Sequence, residues 1–472
     1  MSPDMDTSNS SYSELWAVAR YPDNFSASVP LLRMYKSTGN NEDATMTQKA
    51  ITTAIDSTKT YVDTAIANIP SSGGSGTINL GTDAEGHLLT ADENGNVVSS
   101  QLTEEDIVEA LLYMGTYTAK DAVGLDIDYP NKIYSRIQEA TNLSMGPDFD
   151  NYPMYGGRMR CNVSDDGTIN AFYGDNNYAD DGSNGQVMVY QPKFYYQRTP
   201  VVVDNINNGA IIRRESIIVS AAKQPGFKLH PIFKGANGEE LDYVLLPAYD
   251  GSLVNDKLAS VSGKKPLSNI TVTQAESYAA ARGTGWHITN MAAESAQQML
   301  EIVEFGTLNG QEALEAGISS IPNVVTNVNC SSLTGSTAEK GNATGYATTT
   351  TNEINGTTKE YTTAGQRAIT YRGVENPWGN LWRLIGGTNI SGNGREQGGG
   401  VYICSDFDYT PGTNGSNYHF IGFYLPTDSS WISAFGIGDP AYDWVFMPAE
   451  CSNGTSSGPV GDSLWVTEGL NG

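Results

Sequence analysis

Residues 370–383 read Thr-Tyr-Arg-Gly-Val-Glu-Asn-Pro-Trp-Gly-Asn-Leu-Trp-Arg, and the stretch that follows, residues 384–472, is rich in Gly, Asn, Asp, Ser, Tyr, Phe and Trp. Glycine and short polar residues favour turns and loops, so the stretch after residue 383 is expected to form long ordered loops. Loop residues can change identity without unfolding a protein, which makes such a stretch a candidate recognition surface.

The size and composition of the chain favour several units built from β structure and ordered loops. Its 472 residues exceed one ordinary domain, and 39% of them are apolar while 17% are charged. The 51 glycines and 26 tyrosines suit strands and loops better than a salt-bridged helical bundle.

The chain is strongly acidic, with 27 Lys and Arg residues against 53 Asp and Glu residues and a formal net charge of −26. Since the acids are scattered, repulsion disfavours polyanions, and we expect no nucleic-acid partner. The simplest interpretation is that the charge keeps an exposed protein soluble. No segment approaches the roughly 18 apolar residues of a membrane-spanning helix, and the N-terminus has no signal-peptide pattern, so we expect no membrane insertion.

Cysteines and histidines show no spacing typical of a metal site. The four cysteines are Cys161, Cys330, Cys404 and Cys451, and the four histidines are His87, His230, His287 and His419. They form no CxxC pair and no Cys/His group of zinc-site spacing. We therefore expect no metal, no cofactor and free, mostly buried cysteines, with a Cys404–Cys451 pair as the alternative.

The N-terminal part is predicted to contain an attachment segment and a helix. Residues 1–45 hold only short apolar clusters, too few for a core of their own, which indicates a segment that attaches to partners. Residues 46–70 are predicted to form a helix with a heptad stripe, which favours a short coiled coil over a single helix docked on a neighbouring domain. The stripe consists of Ile51, Ile55, Thr58, Val62, Ala65 and Ile69.

Residues 71–115 are predicted to form a linker and a small neck of β and α structure. The Gly/Ser run at residues 71–76 is a flexible linker by composition. Two short strands are expected on either side of Asn94 and Gly95, followed by a helix from Thr103 to Met114.

Residues 116–472 are the predicted head, for which we expect an α+β fold. Aromatic and β-branched residues at 167–175 and 185–196 predict successive strands separated by an acidic loop. Helical periodicity follows at residues 273–282 and 292–305, and a loop-rich β region completes the head.

Four pieces of the head carry a resemblance to a known family: residues 167–175, 187–196, 285–288 with the following helix, and 372–382. The head resembles the C-type-lectin-like fold of the formylglycine-generating-enzyme branch, in the version found in phage receptor-binding tail proteins and in targets of diversity-generating retroelements. Residues 46–51 resemble the trimerising helix of phage tail and fibre proteins. The resemblance implies that Trp378 and Trp382 lie in the core beneath the binding loops.

The same resemblance implies a phage tail fibre or receptor-binding protein that attaches the virion to a bacterial surface glycan or surface protein. It implies a homotrimer with a C-type-lectin-like head on a short coiled-coil and β neck, whose N-terminal segment binds other virion tail proteins. Such a protein is located in the virion tail after assembly in the host cytoplasm. A capsule-degrading tail depolymerase and a structural tail or capsid decoration protein are the alternatives.

Catalytic sites of the fold's enzymatic members are not evident in this sequence, so we expect no enzyme. Formylglycine-generating enzymes bind copper through two close cysteines, whereas Cys404 and Cys451 are far apart, and the iron-dependent relatives use a histidine cluster. The calcium-binding sequences of true C-type lectins are missing too, and the acidic loop at residues 175–182 is better explained as a solvated turn than as a calcium site. Paired carboxylates need no motif, which keeps the depolymerase as the enzymatic alternative.

Aromatic residues set among Asn, Asp, Ser and Gly between residues 398 and 448 are the candidate receptor contacts. Tyrosine and tryptophan supply wide contact area at a small entropic cost, and the polar residues supply hydrogen bonds. The predicted receptor-binding residues are Tyr402, Asp406, Asp408, Tyr409, Asn417, Tyr418, Tyr424 and Trp431. By strand alternation, the residues expected to face the core instead are Phe420, Phe423, Trp444 and Phe446.

Overall fold

A computed structural model of the chain describes most of the predicted head and four short strands before it. The described residues are 12–14, 35–37, 87–91, 97–103, 121–206, 208–235, 237–318, 331–349, 365–391, 399–404, 417–427, 429–452 and 458–464. Among the described residues strands predominate over helices, which is compatible with the expected α+β class and equally with a mainly β class. The predicted coiled-coil helix at residues 46–70 lies outside the described residues.

The elements follow one another in this order along the chain. The strands are β1 (Tyr12–Glu14), β2 (Tyr35–Ser37), β3 (His87–Ala91), β4 (Val97–Thr103), β5 (Ala122–Asp128), β6 (Ile133–Gln138), β7 (Met159–Val163), β8 (Ile169–Phe172), β9 (Gln186–Pro192), β10 (Tyr195–Asn205), β11 (Ala210–Ser220), β12 (Lys228–Leu229), β13 (Tyr243–Pro247), β14 (Ser252–Val254), β15 (Lys257–Ala259), β16 (Gly345–Thr348), β17 (Arg367–Tyr371), β18 (Val374–Glu375), β19 (Thr388–Ser391), β20 (Gly400–Ile403), β21 (His419–Tyr424), β22 (Ser430–Ile437), β23 (Pro448–Ser452) and β24 (Ser463–Leu464). The α-helices among the described residues are α1 (Pro153–Gly156), α2 (Val272–Ala280), α3 (Met291–Phe305) and α4 (Gly310–Ala313).

The chain divides into two compact units, residues Met1–Asn79 and Leu80–Gly472. In the first unit, β1 pairs antiparallel with β2. In the second, β3 and β4 form an antiparallel hairpin, which confirms the two strands predicted on either side of Asn94 and Gly95. Thr103 is the last residue of β4, and residues 104–114 of the predicted neck helix lie outside the described part of the chain.

The largest sheet has eight strands and is centred on β11. One edge of β11 pairs with β10 along its whole length, and the other edge pairs with β5 and, at its first residues, with β22. β12 pairs with β10, β6 pairs with β5, and both β23 and β24 pair with β22. Ile217 lies opposite Leu125 in this register, and both side chains are fully buried on the inner face.

Helix α3 packs on that inner face and occupies the centre of the core. Its start is capped by Asn290, whose side-chain oxygen accepts a hydrogen bond from the Ala293 N–H at 2.9 Å. Its end is set by Gly306, which adopts the left-handed conformation with φ 68°. The buried apolar residues of the helix at the core include Ala292, Ala296, Met299, Leu300 and Val303. Burial of each large side chain stabilises the fold by about 1.5–3 kcal/mol. The helix predicted at residues 292–305 is confirmed.

Helix α2 starts with a capping box, which explains why the sequence forms a helix there. The Gln274 N–H donates to the Thr271 hydroxyl at 3.2 Å, and the Thr271 N–H donates to the Gln274 side-chain oxygen at 2.9 Å. The helix predicted at residues 273–282 is thereby confirmed, although it ends at Ala280.

A second sheet has the strand order β13, β9, β7, β8 and is antiparallel throughout. β9 and the start of β10 confirm the strands predicted at residues 185–196. Residues 167–175 contribute a single strand, β8, which pairs with β7. The turn between the two strands is closed by a hydrogen bond from the Ser164 N–H to the Thr168 carbonyl at 2.9 Å.

Three smaller antiparallel groups complete the described head: β14 with β15, β16–β17–β18, and β19–β20–β21. The last of these lies close to β22 at two glycines. A Cβ atom on Gly422 would lie 2.5 Å from the Asp439 nitrogen, and one on Gly438 would lie 2.4 Å from the Ile421 oxygen. Only glycine fits at this backbone crossing, which brings the β19–β20–β21 sheet against the main core.

The described cysteines are mostly buried, as predicted. Cys161 and Cys404 are buried, Cys451 is half-buried, and burial raises the pKa of the Cys161 thiol to about 12. Cys330 lies outside the described residues. Within the described ranges, the helices are all too short or too polar to cross a membrane.

Candidate functional site

The hairpin of β17 and β18 turns at Arg372 and Gly373, which have φ values of 44° and 94°. A two-residue loop with positive φ at both positions is a type I′ turn, whose twist matches that of the flanking strands. Tyr371 and Val374 pair on either side of it. A positive φ is unfavourable for arginine, so this turn needs support from the surrounding structure.

That support comes from Glu304 on helix α3, which binds the Arg372 guanidinium. Nε donates to Oε2 at 2.6 Å and Nη2 donates to Oε1 at 2.7 Å, which is a bidentate pair. Arg372 Nη1 also donates to Asp150 Oδ1 at 2.8 Å, and the Tyr371 hydroxyl donates to Glu304 Oε2 at 2.8 Å. Because Glu304 is completely buried, its charge depends on these donors, and the turn is tied to the core.

Glu375 and Arg160 connect the same hairpin to other segments. The buried Glu375 carboxylate accepts hydrogen bonds from the Gly335 N–H at 2.8 Å and from the Thr337 N–H and hydroxyl, both at 2.6 Å. Burial raises the pKa of Glu375 to about 7, even though these donors act in the opposite direction. The buried Arg160 guanidinium donates through Nε to the Gly373 carbonyl at 2.8 Å.

The acidic loop at residues 175–182 is tied to this network through Tyr249. Arg160 Nη1 donates to the Tyr249 hydroxyl at 3.1 Å, and that hydroxyl donates in turn to Asp180 Oδ1. The Tyr178 hydroxyl donates to the same oxygen at 2.9 Å. Asp180 therefore anchors the loop to the scaffold. Across the described ranges, groups of three or more His, Cys, Asp or Glu side chains placed to hold a metal ion are absent.

Residues 371–383 act together as a segment that fixes the surrounding loops, and we name them the anchor segment. The Trp378 indole N–H donates to the Glu315 carbonyl at 2.9 Å, and its ring packs edge-on against buried Phe305 with centroids 6.2 Å apart. Asn380 Nδ2 donates to an Asp250 carboxylate oxygen at 2.8 Å. Trp378 is half-buried and packs against the edge of the core, so the core position expected from the resemblance is met only in part.

Trp382 does not lie in the core, because its side chain is 92% exposed; the position expected from the resemblance is wrong for this residue. Its neighbours give the physical reason. Arg383 Nη2 donates to the Asn376 carbonyl at 2.6 Å and lies 3.5 Å from Asp250 Oδ1. Since Asn380 and Arg383 both turn towards Asp250, the chain between them presents the Trp382 ring to solvent.

The β19–β20–β21 sheet carries an aromatic cluster on its outer face. The Tyr402 and Phe420 ring centroids are 5.5 Å apart, and those of Phe420 and Tyr424 are 5.2 Å apart. All three side chains are half-buried. The inner face of the same strands is buried in the core, and its members are Val401, Ile403, Ile421 and Phe423. The sheet thus has one face packed and one face available for contacts.

Two of the predicted receptor-binding residues, Tyr402 and Tyr424, lie together in this cluster. Asn417 is exposed just before β21, and Trp431 is half-buried on β22, opposite Ser452. The aromatic contacts of the described residues do not join Trp431 to the cluster. The other predicted contacts on this region, Asp406, Asp408 and Tyr409, lie outside the described residues.

Tyr418 is 8% exposed, so the expectation that its side chain is exposed is wrong, while receptor contact by this residue stays an untested prediction. Its side chain turns inwards just before β21 starts, and burial together with the nearby Cys404 raises the pKa of its hydroxyl. The surrounding Gly, Ser and Asn residues suggested a loop, but they do not determine which way the ring points.

Three of the four phenylalanine and tryptophan residues expected in the core are there: Phe423, Trp444 and Phe446. Phe420 is the exception, and the prediction for it is wrong. It alternates with the buried Ile421 along β21 and shares the outer face with Tyr402 and Tyr424. The presence of aromatic residues in the sequence did not show which face of β21 is buried.

A polar face of helix α3 meets Arg158 and two arginines of the anchor segment, Arg372 and Arg383. Glu294, Gln297, Glu301 and Glu304 recur at helical spacing along this face. Opposite it, Arg158 Nη2 donates to Gln297 Oε1 at 3.4 Å. Three further atoms are buried and have no hydrogen-bond partner within the part of the chain that the structure describes: Arg158 Nε, Arg158 Nη1 and Glu301 Oε1. Burial raises the pKa of Glu301 to about 8, with the charges of Arg158 and Arg383 opposing the shift.

Two of the described histidines, His230 and His287, contact side chains of the scaffold. His230 is buried among aromatic rings, and burial lowers its pKa to about 3, so it is neutral. His287 Nδ1 lies 2.6 Å from Glu276 Oε1 at the end of the α2 region.

Searches against known proteins returned no matching family model and no curated protein of significant sequence similarity.

Proposed function

We propose that this chain is a phage tail fibre or receptor-binding protein that attaches the virion to a bacterial surface receptor. The observation that carries the proposal is the aromatic cluster of Tyr402, Phe420 and Tyr424 on the outer face of a sheet whose inner face is core. Rings held in this way lose little conformational freedom when a ligand covers them, which favours binding.

The anchor segment supports the same proposal. It carries the most specific part of the resemblance to phage tail proteins, and its hydrogen bonds hold the hairpin turn, the segment at residues 335–337 and Arg383 before β19. A surface supported by such contacts keeps its shape when residues of the loops change. This division between fixed support and changeable surface is what a receptor-binding head requires.

The proposed architecture is a homotrimer. Residues 1–45 attach to other virion tail proteins, residues 46–70 form a coiled coil, residues 71–115 form the neck, and residues 116–472 form a C-type-lectin-like head. The heptad stripe motivates the trimer, and three heads on one stalk would raise the overall binding strength by multivalency.

Competition with infection tests this function. The purified chain is added to host bacteria before phage, and a receptor-binding protein should reduce both phage adsorption and binding of a labelled copy of the chain. The variant Tyr424→Ala should weaken this competition about tenfold or more while the melting temperature stays within a few degrees, because aromatic side chains dominate binding energies.

Tyr346→Ala is the matched control. Tyr346 is 39% exposed on β16, a strand of a different sheet, and removing its ring should leave competition unchanged. Lack of competition by the unmodified chain would contradict receptor binding and favour a decoration protein. Shortening of host polysaccharide by the chain, seen on a sizing column, would instead establish a depolymerase.

A further inference from the structure

Trp382 is the most exposed of the large apolar side chains in the described part of the chain, at 92%. A ligand that covers this ring removes apolar surface from water, which favours binding. The aromatic cluster on β19–β20–β21 does not include it.

The backbone around Trp382 is held in place. Asn380 binds Asp250 through its amide nitrogen at 2.8 Å, and its amide oxygen accepts a hydrogen bond from the Ser332 N–H at 3.2 Å. Arg383 donates to the Asn376 carbonyl at 2.6 Å. The residues on both sides of Trp382 are therefore fixed, and a ligand that binds the ring does not have to order the loop first.

The surroundings of the ring favour a small flat contact over a protein interface. Leu384, at 38% exposure, is the one other large exposed apolar residue within the same described loop segment. A specific protein interface buries roughly 800 Å² on each partner around a core of several apolar side chains, which this loop does not provide. A hexose presents an apolar face of C–H groups that covers a single aromatic ring.

Charge near the ring favours a neutral ligand. Arg383 is paired with Asp250 at 3.5 Å and with Glu294 at 3.7 Å, so the nearby charges satisfy one another. The chain as a whole carries −26, which repels acidic polymers. A neutral sugar is not repelled by the negative charge of the chain. Its binding at this ring also does not remove water from an unpaired charge.

We infer that Trp382 is a glycan contact, whose indole stacks on a neutral hexose unit of a bacterial surface polysaccharide. The inference rests on the proposed function and specifies its ligand class. It adds a contact outside the predicted set, near the end of the anchor segment.

The test uses the full chain and three variants on an array of bacterial surface polysaccharides, with neutral and acidic repeats in separate sets. Trp382→Ala should lower affinity for the neutral polysaccharide that binds best by at least tenfold, and Trp382→Phe should restore most of it. Tyr346→Ala should bind like the unmodified chain. Melting temperatures should remain equal, because an exposed ring contributes little to folding. Adding that polysaccharide should also reduce acrylamide quenching of tryptophan fluorescence in the unmodified chain and not in Trp382→Phe.

Four outcomes would overturn the inference. Equal polysaccharide affinity of Trp382→Ala and the unmodified chain would remove Trp382 from the site, and preferential binding of the acidic set would exclude a neutral ligand. Binding to host cells without binding to any polysaccharide would exclude a glycan while the proposed function survives. A smaller oligomer for Trp382→Ala in light scattering would make the ring a subunit contact. Absence of any binding to host cells would instead contradict the proposed function itself.

Discussion

Replacing Glu301 by Gln should stabilise the head at alkaline pH and leave it unchanged at acidic pH. Burial raises the pKa of Glu301 from 4.5 to about 8. Between these values the folded chain holds a proton that the unfolded chain has released, so the free energy of unfolding falls as pH rises through this window. Glutamine keeps the shape of the protonated side chain and cannot ionise.

The size of the effect follows from the pKa values and the surroundings of the side chain. At roughly 1.4 kcal/mol per pH unit, a shift from 4.5 to about 8 sets an upper limit of roughly 5 kcal/mol. Glu301 is partly reached by solvent, and Arg158 and Arg383 can adjust towards its charge, so we expect about 1–2 kcal/mol. Because Glu301 Oε1 has no hydrogen-bond partner among the described residues, the substitution breaks no bond described there.

Denaturant unfolding at pH 4.5, 6.5 and 8.5 measures the difference between Glu301→Gln and the unmodified chain. The difference should be near zero at the lowest pH and should reach its full value at the highest. Glu339→Gln, at an exposed position, controls for the loss of one negative charge. Two results would contradict the prediction: the same difference in the free energy of unfolding at all three pH values, or a variant that is less stable than the unmodified chain at pH 8.5. Either result would show that burial does not destabilise the Glu301 carboxylate.

Three other outcomes are expected. Arg372→Ala should lower the free energy of unfolding by about 3–5 kcal/mol, because it leaves Glu304 buried and unpaired; a loss below about 1 kcal/mol in a urea titration would contradict this. Tyr418→Ala should destabilise by about 3 kcal/mol and leave receptor affinity of the folded fraction unchanged, and weaker binding at an unchanged melting temperature would place the ring in the receptor site after all. Light scattering at micromolar concentration should give three times the 50.6 kDa chain mass, and a monomer would exclude the coiled-coil trimer.

Local periodicity was sufficient to predict several elements of the head. Helix α3 could be predicted because its apolar residues recur at helical spacing and Asn290 caps its start. The strands β9 and β10 could be predicted because β-branched and aromatic residues cluster between turn formers. In each case the signal lies within a dozen or so neighbouring residues, where propensity and pattern act together.

The roles of individual side chains could not be predicted, because their partners are distant in the sequence. Arg372 is paired with Glu304, and Arg160 binds the carbonyl of Gly373. The sequence around the anchor segment marked it as special but did not distinguish the inward Trp378 from the outward Trp382, since that depends on where Asp250 lies. The outer face of β21 was missed for a related reason, because both of its faces carry aromatic residues.

The pairing of β11 with β22 has a consequence for how the protein is made. Ile211 and Gly436 lie opposite each other, yet a ribosome adding about 5–20 residues per second needs about 10–50 s to proceed from one to the other. During that time the first residues of β11 have no partner on that edge, and Arg198 lacks the carbonyls of Asp443 and Val445 to which it donates at 3.0 and 2.8 Å. The head therefore completes its core only after nearly the whole chain has emerged. Truncation before Ser430 should consequently give an aggregating nascent product instead of a shorter soluble head.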